Sequence, residues 1–195
     1  NNLSIQYSAT SDKKTVINLT NHAYFNLNGY DGGDVLGHTL QINADKFTAI
    51  DENSIPTGEL PLVAGTPFDF TAEKTIGKDI EEDFPQLKNG MGYDHNFCVA
   101  DYDGTLKTIA VAKADKSGIK MEVKTTEPGV QLYTGNFLDG TVKGKNGISY
   151  PQRASVCLET QHYPDSPNKA HWPSVVLEPG KTYTSHCIFQ FGVVK

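Results

Sequence analysis

Between Thr15 and Leu27 the chain alternates with a period of two. One row of side chains collects Ile17, Leu19, Ala23, Phe25 and Leu27, with Asn21 the only exception. The other collects Asn18, Thr20, His22, Tyr24 and Asn26 after an initial Val16. Successive side chains of a strand point to opposite faces, so this run predicts a strand with one face in a core. The opposite face would carry hydroxyls, amides, an aromatic ring and an imidazole. Such a row suits a sugar-binding groove, and a histidine within it can titrate near neutral pH and move protons.

The same pattern recurs along the chain. Strands are expected over 4–9, 15–27, 38–42, 46–50, 97–100, 108–113, 120–126, 130–136, 155–161 and 182–193. Tyr, Phe, Val, Ile and Thr fill these runs. Turn pairs separate them, among them Gly32-Gly33, Asp103-Gly104, Pro128-Gly129 and Pro179-Gly180. Leu106–Glu127 reads as a hairpin around Lys116-Ser117-Gly118. Helical sequence is confined to a turn or short helix within 80–87. Residues 51–92 read as a long irregular region, of the kind that is often functional or folds into local hairpins. Many antiparallel strands without a linker imply one all-β unit over 1–195, an antiparallel β-sandwich.

Composition closes off several functions. The net charge is −6 and the basic residues do not cluster, which argues against nucleic-acid binding. No apolar run approaches the ~18 residues of a membrane helix. Cys98, Cys157 and Cys187 are odd in number and widely spaced, so they read as buried free thiols rather than a disulfide framework or a zinc site. That favours a reducing compartment, the cytoplasm. The chain opens at Asn1 in strand-like sequence, a start that suggests a fragment or a processed chain. The Asn-x-Ser/Thr sequences at Asn2 and Asn18 read as chance occurrences, the second lying inside an expected strand.

Three further segments carry candidate chemistry. In Ser155-Val-Cys-Leu-Glu-Thr-Gln161, Glu159 shares a face with Cys157 in an otherwise apolar run. Partial burial there would raise its pKa and make it a usable base; the alternative is a strand-end carboxylate in solvent. Asp94 follows Gly90-Met-Gly-Tyr, a backbone suited to a sharp approach to a ligand. It could accept hydrogen bonds from sugar hydroxyls, or simply close an Asx-turn. A metal site at Asp94-His95 is disfavoured, because neighbours on a strand face opposite ways. Gln131 and Tyr133 share a face, where an amide and a ring could read a sugar or merely form a solvent-facing row. His38, His95, His162, His171 and His186 read as structural, mostly loop or strand-surface residues. Trp172 reads as a loop anchor on the core. No phosphate-binding glycine loop and no Gly-x-Ser-x-Gly turn is present.

Taken in order, Thr20-Asn-His-Ala-Tyr-Phe-Asn-Leu27, Gly92-Tyr-Asp-His-Asn-Phe97, Gly129-Val-Gln-Leu-Tyr-Thr-Gly-Asn-Phe137 and Cys157-Leu-Glu-Thr-Gln161 resemble the motifs of the aldose 1-epimerase (galactose mutarotase) family. Phe137-Leu-Asp-Gly-Thr141 and Pro179-Gly-x-x-Tyr183 extend the resemblance over nearly the whole chain. It implies a large antiparallel supersandwich that interconverts the α and β anomers of free aldohexoses without metal or cofactor. Carried over by motif, Glu159 is the expected general base and His22 the general acid. Asp94 and Gln131 are expected ligands of sugar hydroxyls, with Tyr24 lining the pocket. Family members carry a sizeable portion ahead of the Thr-Asn-His motif, which supplies an arginine and a second histidine. The resemblance implies that those strands are missing here, so that the fragment alone could be inactive, and that the missing portion could exist as a separate chain. Rival readings are a glycosidase using Asp94 and Glu159, a non-catalytic carbohydrate-binding sandwich, and a relative acting on phosphorylated hexoses. The last is disfavoured because Arg153 is the only arginine.

Overall fold

Pairing of short alternating runs builds the molecule. A computed structural model describes residues 1–194. Among these, strands form at β1 (Asn2–Thr10), β2 (Thr15–Val16), β3 (Thr39–Ile42), β4 (Ala44–Phe47), β5 (Lys74–Thr75) and β6 (Asp94–Val99). They continue at β7 (Lys107–Lys113), β8 (Ile119–Thr125), β9 (Gly129–Tyr133), β10 (Cys157–Gln161), β11 (Val176–Leu177) and β12 (Thr182–Val193). A six-stranded sheet runs β1-β12-β8-β7-β3-β5, and a four-stranded sheet runs β10-β9-β6-β4. All pairings are antiparallel, and β2 with β11 makes a separate two-stranded piece.

The two sheets meet through their apolar faces. Leu40, Met121, Val123 and Phe189 from the six-stranded sheet join Phe97, Val130, Leu132 and Leu158 from the four-stranded sheet in one buried cluster. Each such side chain contributes roughly 1.5–3 kcal/mol by leaving water. This is the β-sandwich expected from the alternation. Its consequence for function follows from the two-residue period. With Val130, Leu132 and Leu158 turned inward, Gln131, Tyr133, Cys157, Glu159 and Gln161 must emerge on the other face of the four-stranded sheet.

Nine of the ten expected strands appear with ends shifted by up to three residues, and the hairpin of β7 and β8 spans the expected turn. The helix (α1, Pro85–Gly90) lies a few residues beyond its expected place, with Pro85 opening its first turn. Residues 51–92 do hold local pairings, including bridges of Ile50 to Pro56 and Lys46 to Leu62. Cys98, Cys157 and Cys187 are buried free thiols. Trp172 is buried with Tyr163 and Cys98 in a small satellite cluster. No helix among the described residues is long and apolar enough to cross a membrane.

Two expectations need correction. The 15–27 run is not one strand. Only Thr15–Val16 pairs as a strand, and Phe25 bridges Val156. Between them, Asn21 Oδ1 accepts the Ala23 amide at 3.2 Å, a local turn that competes with a ladder. Leu27 is buried and Phe25 packs on Phe189, but Leu19 is exposed. The alternation therefore reflects a segment held between core and groove rather than a sheet strand. Second, His38 and His95 are fully buried rather than surface residues. His95 packs edge-on against Phe68, and burial lowers its pKa to about 3, so it stays neutral.

The turn that launches β6 is tightly built. Met91 has φ 55° and Gly92 φ 127°, and a Cβ on Gly92 would overlap the Arg153 guanidinium and the Asn136 amide. Arg153 is itself buried. It donates to Asn136 Oδ1 and to the Met91 carbonyl, and it pairs with Glu81 at 3.4 Å. Gly92→Ala should therefore destabilise the protein by about 2–4 kcal/mol, through backbone strain and a displaced buried charge. Urea unfolding of the two proteins checks this.

Candidate active site

The outer face of the four-stranded sheet carries a polar row that its registry dictates. Glu159 on β10 stands opposite Gln131 on β9, which stands opposite Asn96 on β6. One step along, Cys157 stands opposite Tyr133, which stands opposite Asp94. These partners sit one strand spacing apart, so their side chains touch. Gln131 Nε2 donates to Asp94 Oδ1 at 2.8 Å, and Gln161 Nε2 donates to Gln131 Oε1 at 3.1 Å. The second bond fixes which end of the Gln131 amide faces Asp94. Gly129 makes room for this row, since a Cβ there would overlap Asn96 Oδ1.

Residues 17–26 cross over β10 and cover it. The crossing is pinned by groups other than a ladder. The Asn18 side chain donates to the His162 carbonyl at 2.9 Å and accepts the His162 amide at 3.0 Å. The His162 ring in turn pairs with buried Glu127, Nδ1 to Oε2 at 2.5 Å. At the other end Phe25 and Val156 exchange two backbone bonds of 2.8 Å, and Asn26 Nδ2 donates to the Ala154 carbonyl at 3.1 Å. His162 directly follows β10 and Val156 directly precedes it. The clamps therefore grip both ends of the strand that carries Glu159.

Between the clamps lies His22. Its Nε2 stands 3.4 Å from Glu159 Oε1. The imidazole is 49% exposed, whereas the carboxylate is only 9% exposed. Tyr24 stacks on His22 with ring centroids 5.0 Å apart, and Tyr133 meets both rings edge-on. Phe137 stacks against Tyr133 at 6.1 Å and is largely exposed, which continues the aromatic wall outward. The structure thus brings all five sequence-derived candidates, His22, Tyr24, Asp94, Gln131 and Glu159, onto one face. Four more residues belong to the arrangement: Tyr133, Gln161, Asn96 and Cys157. Strand alternation already placed Tyr133, Cys157 and Gln161 on that face; which neighbour they would touch depended on registry.

Burial dominates the electrostatics. It raises the Glu159 carboxyl to about 7, with the Asp94 charge adding to the rise and His22 opposing it. Burial likewise raises Asp94, against the lowering effect of the Gln131 hydrogen bond and His22. A carboxyl poised near neutrality beside an imidazole can exchange a proton with a ligand at little cost. The sole arginine, Arg153, is committed to the turn before β6 and does not line this face.

Comparison with known proteins shows the family. The aldose 1-epimerase family model matches residues 1–190, and the chain belongs to that family. It is 44% identical over 191 residues to galactose mutarotase of Bos taurus, and 42% identical over 194 residues to aldose 1-epimerase of Escherichia coli. Each match covers 98% of this chain, but 54% and 55% of the relative. The chain therefore spans about half the length of the curated relatives it matches. Among solved structures, an aldose epimerase homologue from C. elegans superposes with a TM-score of 0.87 at 32% identity, covering the whole chain and 57% of that structure. A galactose 1-epimerase from Lactobacillus acidophilus gives 0.84, also at 32%.

Two outcomes follow. Asn18→Ala removes both bonds to His162 and should cost about 1–3 kcal/mol in urea unfolding. Glu159 gives a pH signature. Its folded-state value of about 7 lies above the ordinary 4.5, so folded protein holds this proton more tightly than unfolded chain between those values. Ionisation then costs stability progressively as pH rises through 7, and none of that cost exists below 4.5. Glu159→Gln should accordingly gain thermal stability relative to the parent at pH 8 and lose that advantage at pH 4, as read by calorimetry.

Proposed function

We propose that this chain carries the acid–base centre of an aldose 1-epimerase that interconverts the α and β anomers of free aldohexoses such as galactose and glucose. The observation that carries this reading is the buried carboxyl of Glu159, raised toward neutrality, 3.4 Å from the His22 imidazole. Mutarotation needs a base at the C1 hydroxyl and an acid at the ring oxygen. Both oxygens are bonded to C1, so donor and acceptor must lie within a few ångströms of each other.

In this reading Glu159 takes the proton from O1 while protonated His22 gives one to O5. The C1–O5 bond breaks and O1 becomes the aldehyde oxygen. Rotation about C1–C2 presents the other carbonyl face, and closure returns both protons with the roles reversed. No net charge or atom is gained. Each positioned group is worth ~10²–10⁴-fold in rate. Asp94 and the Gln131 amide serve as ligands for sugar hydroxyls, and Tyr24 and Tyr133 offer ring faces to the sugar's C–H groups. The activity is assigned to a protein of the relatives' full length, in which a further portion, on this chain or on a separate one, completes the sugar site. Three unpaired thiols support a reducing, cytoplasmic setting.

The rival readings differ in ways an assay resolves. A glycosidase would cleave a chromogenic glycoside. A binding module would leave anomer exchange at the buffer rate. The pairing of Glu159 with His22, rather than with Asp94, favours the epimerase.

The test is polarimetry on fresh α-galactose and α-glucose with the full-length protein. Glu159→Gln and His22→Asn should each lower the enzymatic rate by two or more orders of magnitude while leaving circular dichroism unchanged. Rates near the parent in both would refute the assignment. The parent rate should also fall as pH drops through about 7, with an apparent value that belongs to the coupled pair, and this limb should vanish in Glu159→Gln.

A further inference from the structure

One residue of the groove has no part in the proton transfers above. Cys157 lies two residues before Glu159 on β10 and therefore shares its face. Its thiol is fully buried beneath His22. His22, Cys157 and Glu159 each present one donor atom, and these three atoms lie within 4.8 Å of one another.

We propose that His22 Nε2, Cys157 Sγ and the Glu159 carboxylate form a binding site for Zn²⁺, and that zinc occupying it excludes sugar. Zinc takes imidazole nitrogen at ~2.0–2.1 Å, thiolate at ~2.3 Å and carboxylate oxygen at ~2.0–2.2 Å in tetrahedral array. Donors on such a centre stand roughly 3.4–3.6 Å apart. His22 and Glu159 already stand at 3.4 Å. The remaining separations are at most 4.8 Å, and so exceed the tetrahedral spacing by no more than about 1.4 Å. His22 is the donor with room to close that gap, because its side chain is half-exposed and lies between the two clamps.

The donor set is selective. Nitrogen with thiolate suits zinc and cobalt, whereas Mg²⁺ and Ca²⁺ demand oxygen shells. Three protein ligands leave a fourth position for water. Binding releases the thiol proton, together with any proton on the imidazole or carboxyl, to solvent. The cation then holds the two groups that would otherwise move the substrate's protons.

The site is tested by titrating the protein with Co²⁺, without reference to activity. One equivalent should produce a near-ultraviolet thiolate-to-cobalt charge-transfer band, which Zn²⁺ displaces and Mg²⁺ does not. Cys157→Ala should abolish the band. His22→Gln, a change at a half-exposed position, should weaken cobalt binding at least tenfold while leaving circular dichroism unchanged. In polarimetry, zinc should inhibit the parent competitively with sugar, and Cys157→Ala should need at least tenfold more zinc. Absence of the band in the parent would overturn the proposal. So would a band that persists in Cys157→Ala, which would place the metal on Cys98 or Cys187. If the band behaves as expected but polarimetry shows no anomer exchange in the parent, the metal site stands and the epimerase reading falls.

Discussion

Everything distinctive about this molecule depends on keeping one carboxyl group out of water. Glu159 sits on an edge strand, where a carboxylate would ordinarily be solvated. Here β9 flanks it on one side and residues 17–26 close over it. Burial then does to the group what solvent would prevent: it makes the proton hard to lose. The Asp94 charge nearby pushes the same way, and the imidazole of His22 pushes back. The result is a carboxyl that neither holds nor releases its proton firmly at neutral pH.

That arrangement needs a covering segment that is fixed yet not part of a sheet. A ladder would consume the backbone and tie the whole segment to the sheet. Instead the Asn18 amide mimics a backbone partner for His162, and the two bonds between Phe25 and Val156 close the other end. The His162–Glu127 pair stiffens the first clamp from behind. Between these points the chain is free to present His22 and Tyr24 to the groove. A second support works from the far side of β9, where Arg153 and Gly92 shape the turn that delivers Asp94. The rigid parts are thus the sheet and the clamps, and the reactive side chains are carried by them.

Much of this was legible in the amino-acid sequence. The two-residue period identified nine strand regions and sorted Gln131 from Leu132 and Glu159 from Leu158, because alternation is a local property. The same period misled at 15–27. Polar and apolar residues alternate there because one side meets the core and the other the groove, not because a ladder exists. Local pattern cannot distinguish these. Registry was also beyond reach: that Gln161 would orient Gln131, or that Cys157 would lie beneath His22, depends on which residue stands opposite which. The burial of His38 and His95 was missed for a related reason. A buried histidine needs partners that arrive from distant parts of the chain, the Leu27 amide for one and the Phe68 ring for the other.

One proton, that of the Glu159 carboxyl, decides the chemistry of the groove, and carbon-13 NMR reads it directly. Protein carrying labelled glutamate, with Glu159→Gln used to assign its side-chain carboxyl signal, can be titrated from pH 3 to pH 9. A midpoint near 7 is expected for Glu159. A midpoint near the ordinary 4.5 would mean that the carboxyl is solvated and that no poised proton exists in the groove.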